Sequence, residues 1–156
     1  MSIKPDQIYM HEALKEAHRA FEIDEVPVGA VIVHKGTIIA RAHNQIKLLK
    51  DPTAHAEMIA ITQAAAYFGN ERLCDTTVYV TIEPCTMCAG ALVLARVKRL
   101  VFGARDPKTG AFGSVIDVNK KKLNHKIAVS KGILEEDCSS LLKEFFKNKR
   151  RGTQAA

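Results

Sequence analysis

Apolar side chains recur every three or four residues across 6–22, with Met10, Leu14, Ala17 and Phe21 on one side and Lys15, Glu16 and Arg19 on the other. That period predicts an amphipathic helix, with Asp6 placed to cap its first turn. Residues 26–34 and 37–44 are instead apolar, β-branched runs joined at Lys35-Gly36, which predicts an antiparallel hairpin. Pro27 and Gly29 interrupt the first run. A strand glycine marks a bulge or the close approach of a ligand or another backbone, and both readings stay open.

Further along, 45–51 is polar and reads as a connection. Pro52-Thr53 then sets up a helix to about residue 67, with Thr53 as N-cap and Met58, Ile61, Ala65 and Phe68 as a core-facing stripe. Residues 76–82 form another β-rich run, and Glu83-Pro84 ends it and opens a helix through 95, with proline tolerated in the first turn. A strand at 97–103, a loop over 105–123 and a short strand at 126–130 precede a final helix over 133–151. Leu134, Cys138, Leu141, Leu142, Phe145 and Phe146 are its apolar positions. Neighbours on a helix differ by about 100°, so one of Phe145 and Phe146 packs while the other reaches outward. Residues 152–156 are expected to fray. Strands alternate with helices, which predicts an α/β class with one sheet and helices on both faces. No repeat or linker divides the 156 residues, so 1–156 is read as a single domain.

Charge changes the picture modestly. The net charge of +6 favours a polyanionic partner, with ordinary solubility as the alternative. No stretch approaches the roughly 20 apolar residues needed to span a bilayer, and no signal-type segment opens the chain. The four cysteines, Cys74, Cys85, Cys88 and Cys138, fit a reducing cytoplasm better than a disulfide framework.

Two segments carry chemistry: His55-Ala56-Glu57 and Pro84-Cys85-Thr86-Met87-Cys88. Thiolate sulfur and imidazole nitrogen suit zinc, and Cys85 and Cys88 converge on one ion if they share a helical turn. His55 supplies a third ligand, and three protein ligands imply a catalytic site with one position for water. Residues two apart on a helix point about 200° apart, which directs His55 to the metal and Glu57 to the substrate side. Zinc lowers the pKa of bound water from about 15.7 to about 7. A carboxylate beside it can pass the proton to a ring nitrogen and a leaving amine, typically worth about 10²- to 10⁴-fold. Hydrolytic deamination is the reaction these parts can perform, and the combined spacing is the signature of zinc nucleobase deaminases. A structural zinc knuckle, with Cys74 or His43 as fourth ligand, lacks the paired ligand units such sites prefer. His11 and His18 read as helix-surface residues, and Cys74 and Cys138 stand outside the ligand set.

Further segments extend the pattern: EVPVGA at 25–30, AHN at 42–44, DPTAHAE at 51–57, EPCTMCAG at 83–90, FGARDPKTG at 102–110, Asn124-His125, and Phe145-Phe146 before a basic tail. Over about residues 7–151 the chain resembles the bacterial tRNA-specific adenosine deaminases of the cytidine deaminase-like superfamily. That resemblance implies conversion of the wobble adenosine of a tRNA anticodon, usually in an arginine tRNA, to inosine, with water attacking C6 of the flipped adenine. It also implies a cytoplasmic homodimer, a three-layer α/β/α sandwich with a five-stranded mixed sheet, and one zinc per subunit on His55, Cys85 and Cys88. Glu57 would shuttle protons, Asn44 would hydrogen-bond the flipped nucleotide, Val28 would line its pocket, and the Ala56 amide would help hold the base. Asp106 and Lys108 would meet flanking loop nucleotides, and Phe146, Lys149 and Arg150 would lie against RNA. An anticodon loop is already unpaired, which spares the few kcal/mol of extracting a base from a duplex. Arg105, Lys108 and the 147–151 tail are candidate phosphate partners. Two alternatives remain: a free-base or nucleotide deaminase of guanine or cytosine type, and a non-catalytic zinc-stabilised RNA-binding module.

Overall fold

The computed structural model describes residues 4–155, with side chains described for 4–152. The apolar runs pair into one five-stranded mixed sheet. Its strands are β1 (Gly29–His34), β2 (Thr37–His43), β3 (Thr76–Ile82), β4 (Arg99–Ala104) and β5 (Ala128–Lys131), in the order β2-β1-β3-β4-β5. β1 runs antiparallel to both β2 and β3, whereas β3, β4 and β5 are parallel. The ends of β2, β3 and β4 and the start of β1 therefore lie along one edge, with Gly29 opposite His43 and Ile82 opposite Ala104. Ligands of open α/β sheets bind beyond the carboxyl ends of the strands.

The described residues form five helices, α1 (Pro5–Glu22), α2 (Ile46–Leu49), α3 (Ala56–Phe68), α4 (Thr86–Leu94) and α5 (Glu135–Ala155), of which α1, α3, α4 and α5 pack on the sheet. The two-residue period of the strands sorts the core. Ala30, Ile32, Val78, Val80, Leu100 and Phe102 face α3 and α4, while Val31, Val33, Tyr79 and Val101 face α1 and α5. Leu92, Leu100 and Phe102 are fully buried, each contributing about 1.5–3 kcal/mol. The α/β class and the five-stranded mixed sheet are as expected from sequence. No helix is long and apolar enough to cross a membrane among the described residues.

Several local expectations shift. Lys4, not Asp6, precedes the first turn of α1. Asp6 instead accepts both guanidinium nitrogens of Arg99, at 2.8 and 2.6 Å, and the Tyr79 hydroxyl at 2.7 Å. Arg99, followed by the Tyr79 hydrogen bond, outweighs burial and holds the Asp6 carboxyl below its usual range. Glu16, expected on the open face of α1, is buried and pairs with Arg19 and His43.

The 45–51 connection contains the single turn α2, which is held by buried Glu25: Oε1 accepts the Lys47 and Leu48 amides at 2.7 and 2.9 Å. Thr53 does not cap α3, because Asp51 Oδ1 captures both its amide and its hydroxyl; His55 is the N-cap. The fully buried stripe of α3 is Ala56, Ala60 and Ala64, while Ile61, Ala65 and Phe68 are half-buried beside it. α4 likewise starts later, with Cys85 as N-cap. α5 continues through Ala155 rather than fraying after 151, and residue 156 lies outside the described residues. Gly29 marks a close backbone approach: a Cβ there would overlap the Ala13 carbonyl oxygen and the Ala17 nitrogen of α1. The bulge lies instead between Ile32 and Val33.

Candidate active site

Four segments reach the same sheet edge. β1 begins just after Val28, β2 runs into Asn44, β3 into Glu83-Pro84-Cys85, and β4 into the loop from Arg105. α3 and α4 each start at this edge, and both N-cap residues, His55 (φ −73°, ψ 152°) and Cys85 (φ −76°, ψ 177°), are extended. Neither side chain caps its own helix. They turn toward each other, with Cys85 Sγ 3.7 Å and Cys88 Sγ 3.5 Å from His55 Nδ1. Bonds of about 2.0 Å to nitrogen and 2.3 Å to sulfur at tetrahedral angles would separate N and S by about 3.5 Å, so the three residues fit a zinc ion. They are the only group of three or more potential ligands that lies within 4.8 Å among the described residues, and Glu57 is outside it.

The electrostatics of this cluster suit a cation. Hydrogen bonds to Cys88 and then His55 pull the Cys85 thiol down to about 3. The Cys88 thiol is pushed up, first by its bond to Cys85 and then by burial. The Cys85 contact raises His55 above its usual value despite desolvation. Glu57, in the first turn of α3 and 2% exposed, is pushed up chiefly by burial.

A cavity of about 730 Å³ opens over this cluster. Val28, Asn44, His55, Glu57 and Cys85 form its floor and walls, the loop of Arg105, Asp106 and Lys108 one rim, and α5 the other. Asn44 is 5% exposed, and its Oδ1 accepts the Ala56 amide at 2.8 Å. The Ala56 N–H expected to hold the base is thus committed to Asn44. Asp106 lines the cavity while its carboxylate caps its own turn, accepting the Lys108 and Thr109 amides at 3.0 and 3.2 Å.

On α5, Ser139, Lys143, Phe146 and Arg150 face the cavity at helical spacing. Phe146 is 45% exposed whereas Phe145 is 5% exposed, so the two divide between opening and core. Lys149 does not line this cavity: its Nζ bonds Asp24 at 2.5 Å and lies 5.7 Å from the centre of the Phe145 ring. Sequence reasoning missed Lys143 and Glu83. The first needed the rotation of α5 about its axis, and no spacing pattern marks the second.

The chain matches the family described as MafB19-like deaminase over residues 4–150. It is 49% identical over 152 residues to the tRNA-specific adenosine deaminase of Bacillus subtilis strain 168, covering 97% of this chain and 94% of that protein. The chain belongs to the tRNA-specific adenosine deaminase family. A solved structure from work on A-to-I editing by tRNA:A34 deaminases at the wobble position of transfer RNA superposes with a TM-score of 0.85 at 45% identity, covering 86% of this chain and 99% of that one. Guanine deaminase from Nitrosomonas europaea is similar at a TM-score of 0.76 and 26% identity, over 89% of this chain and 83% of that one. The deaminase fold is thus shared with an enzyme named for a free base, and the tRNA-specific relatives are nearer in sequence.

Proposed function

We propose that this enzyme hydrolyses the 6-amino group of the wobble adenosine in a tRNA anticodon: adenosine and water give inosine and ammonia. The observation that carries the chemistry is the His55, Cys85 and Cys88 cluster with buried Glu57 beside it on one cavity wall. His55, Cys85 and Cys88 would hold one zinc per subunit, and the ion would supply Lewis acidity that makes water nucleophilic near neutral pH. Glu57 takes a proton from the attacking water and delivers it to N1 of the adenine, then carries the remaining proton of that oxygen to the departing amine as the C6 carbonyl forms. Asn44, fixed through Oδ1, presents its Nδ2 hydrogens to the flipped nucleotide, and Val28 packs against the base. Burial of Glu57 keeps bulk water from competing for these transfers.

The substrate side rests on charge and shape. Arg105, Lys108, Lys143 and Arg150 ring the opening, and Phe146 offers an exposed aromatic face. Basic groups supply affinity for phosphates, and unpaired bases stack on aromatic rings. Asp106 orders the turn that bears Lys108 and meets a flanking nucleotide of the loop. The resemblance to the family favours an arginine tRNA, a cytoplasmic location and a homodimer. Tyr67 and Leu94, well exposed on α3 and α4, are apolar surface that a second copy would cover.

The test is incubation with an anticodon stem-loop bearing a wobble adenosine, followed by sequencing for inosine. Inosine at that position is expected. No inosine, with rapid turnover of guanine or cytosine, would overturn the reading in favour of a free-base deaminase.

A further inference from the structure

Glu83 follows the last residue of β3, two residues before Cys85, is 2% exposed, and has no part in the chemistry above. Its carboxylate faces a set of donors drawn from one loop. Oε1 accepts the Asp106 amide at 3.2 Å and the Ser114 hydroxyl; Oε2 accepts the Phe112 and Ser114 amides at 3.0 and 3.1 Å. Four donors on one buried carboxylate engage both of its oxygens. Charge-assisted bonds of this type are roughly twice as strong as neutral ones.

Approach here is tight. A Cβ on Gly110 would overlap the Glu83 carboxyl group and the Asp106 carbonyl oxygen. The same loop lays Arg105, Asp106, Pro107, Lys108 and Thr109 along the cavity that holds Glu57. On the other side of Glu83, the Pro84 carbonyl accepts the Ala111 amide at 2.9 Å, so the turn leading to Cys85 is tied to this loop as well. One buried side chain therefore joins the metal-ligating turn to the rim that would receive RNA.

We propose that Glu83 is a positioning residue for the substrate: it clamps the 105–114 loop to the Cys85 turn, so that Arg105, Asp106 and Lys108 are set at a fixed height above Glu57. The role rests on the proposed function for its substrate and acts on capture of the anticodon loop, not on proton transfer. Loosening the clamp leaves Glu57 and the cysteines in place and makes each binding event pay for ordering the loop.

The experiment compares wild type with Glu83→Gln, Ser114→Ala and Gly110→Ala, all zinc-loaded, by two readouts. Amide hydrogen exchange, measured without RNA, should show protection at Phe112 and Ser114 falling about tenfold or more in Glu83→Gln, while β3 and β4 stay protected. Steady-state deamination of the stem-loop should show KM rising about ten- to hundredfold in Glu83→Gln, with kcat within about twofold. Ser114→Ala removes one donor, so it should move both readouts in the same direction by about two- to fivefold even if Glu83→Gln fails to fold. Gly110→Ala should raise KM in the wild-type background and add less in the Glu83→Gln background, because both disturb one contact. Unchanged protection in Glu83→Gln, or in Ser114→Ala if that alone folds, would overturn the clamp whatever the substrate. A fall in kcat with KM unmoved, or loss of bound zinc, would overturn the positioning role. Absence of inosine from the wild-type enzyme would instead overturn the functional reading and leave the exchange result to decide the clamp.

Discussion

Asn44 Oδ1 accepts the Ala56 amide at 2.8 Å, joining the end of β2 to the first turn of α3 between His55 and Glu57. Two substitutions separate its structural and chemical parts. Asn44→Ala leaves a buried N–H unpaired and should cost about 1–3 kcal/mol in urea unfolding. Asn44→Asp keeps an acceptor for Ala56 and replaces the amide donor, so it should hold most of the stability yet lose deamination. Full activity in Asn44→Asp would remove the donor from the mechanism.

Glu57→Gln should lower kcat about 10²- to 10⁴-fold, the usual worth of a positioned proton carrier. Zinc content should be unchanged, because His55, Cys85 and Cys88 group without Glu57. Metal analysis beside single-turnover rates checks both halves, and an undiminished rate would count against the assignment.

Arg150 and Lys149 are neighbours with different surroundings: Arg150 lines the cavity and Lys149 pairs with Asp24. Binding of an anticodon stem-loop measured across a salt series should lose about one unit of logarithmic slope in Arg150→Ala. Lys149→Ala should leave both the slope and the stability close to wild type, as expected for an exposed pair. Equal slopes in the two variants would refute this division.

Acid should weaken the attachment of α1. Arg99 depresses the folded-state pKa of Asp6, so the pair contributes stability above the ordinary carboxylate value and loses it as pH falls through the depressed one. Urea unfolding from pH 7 down to pH 3 should therefore decline more steeply below about pH 4 in wild type than in Asp6→Asn. At pH 7, Asp6→Asn should be about 1–3 kcal/mol less stable. Parallel curves would place the acid sensitivity elsewhere.

Sequence carried the sheet because β1, β2 and β3 are rich in β-branched residues and their alternation sorts side chains to two faces. It carried the metal-ligand candidates because their spacing is local: Cys85 and Cys88 sit within one turn, and His55 belongs to a recognisable tripeptide. Helix starts were harder to read. Thr53 has the chemistry of a cap, but Asp51 takes both its donors, and the start moves to His55. α2 is a single turn pinned by Glu25, more than 20 residues earlier in the chain, a contact no local window contains. The buried stripe of α3 consists of alanines, so larger apolar neighbours mislead about which side faces inward. Glu83 stayed hidden for a related reason: its partners lie 23 to 31 residues away and are mostly backbone amides.

The Asp6–Arg99 pair spans 93 positions in the chain. During synthesis α1 leaves the ribosome first, but its anchor on β4 follows only after most of the sheet has been made. Until then Met10, Ala13 and Ala17, which end up fully buried, have only part of their covering. At about 5–20 residues per second, that interval lasts several seconds. A nascent chain stalled before β1 is made would therefore present the uncovered apolar face of α1, whereas one stalled just before residue 99 would have β1 and β3 to cover that face and would still lack its Arg99 anchor.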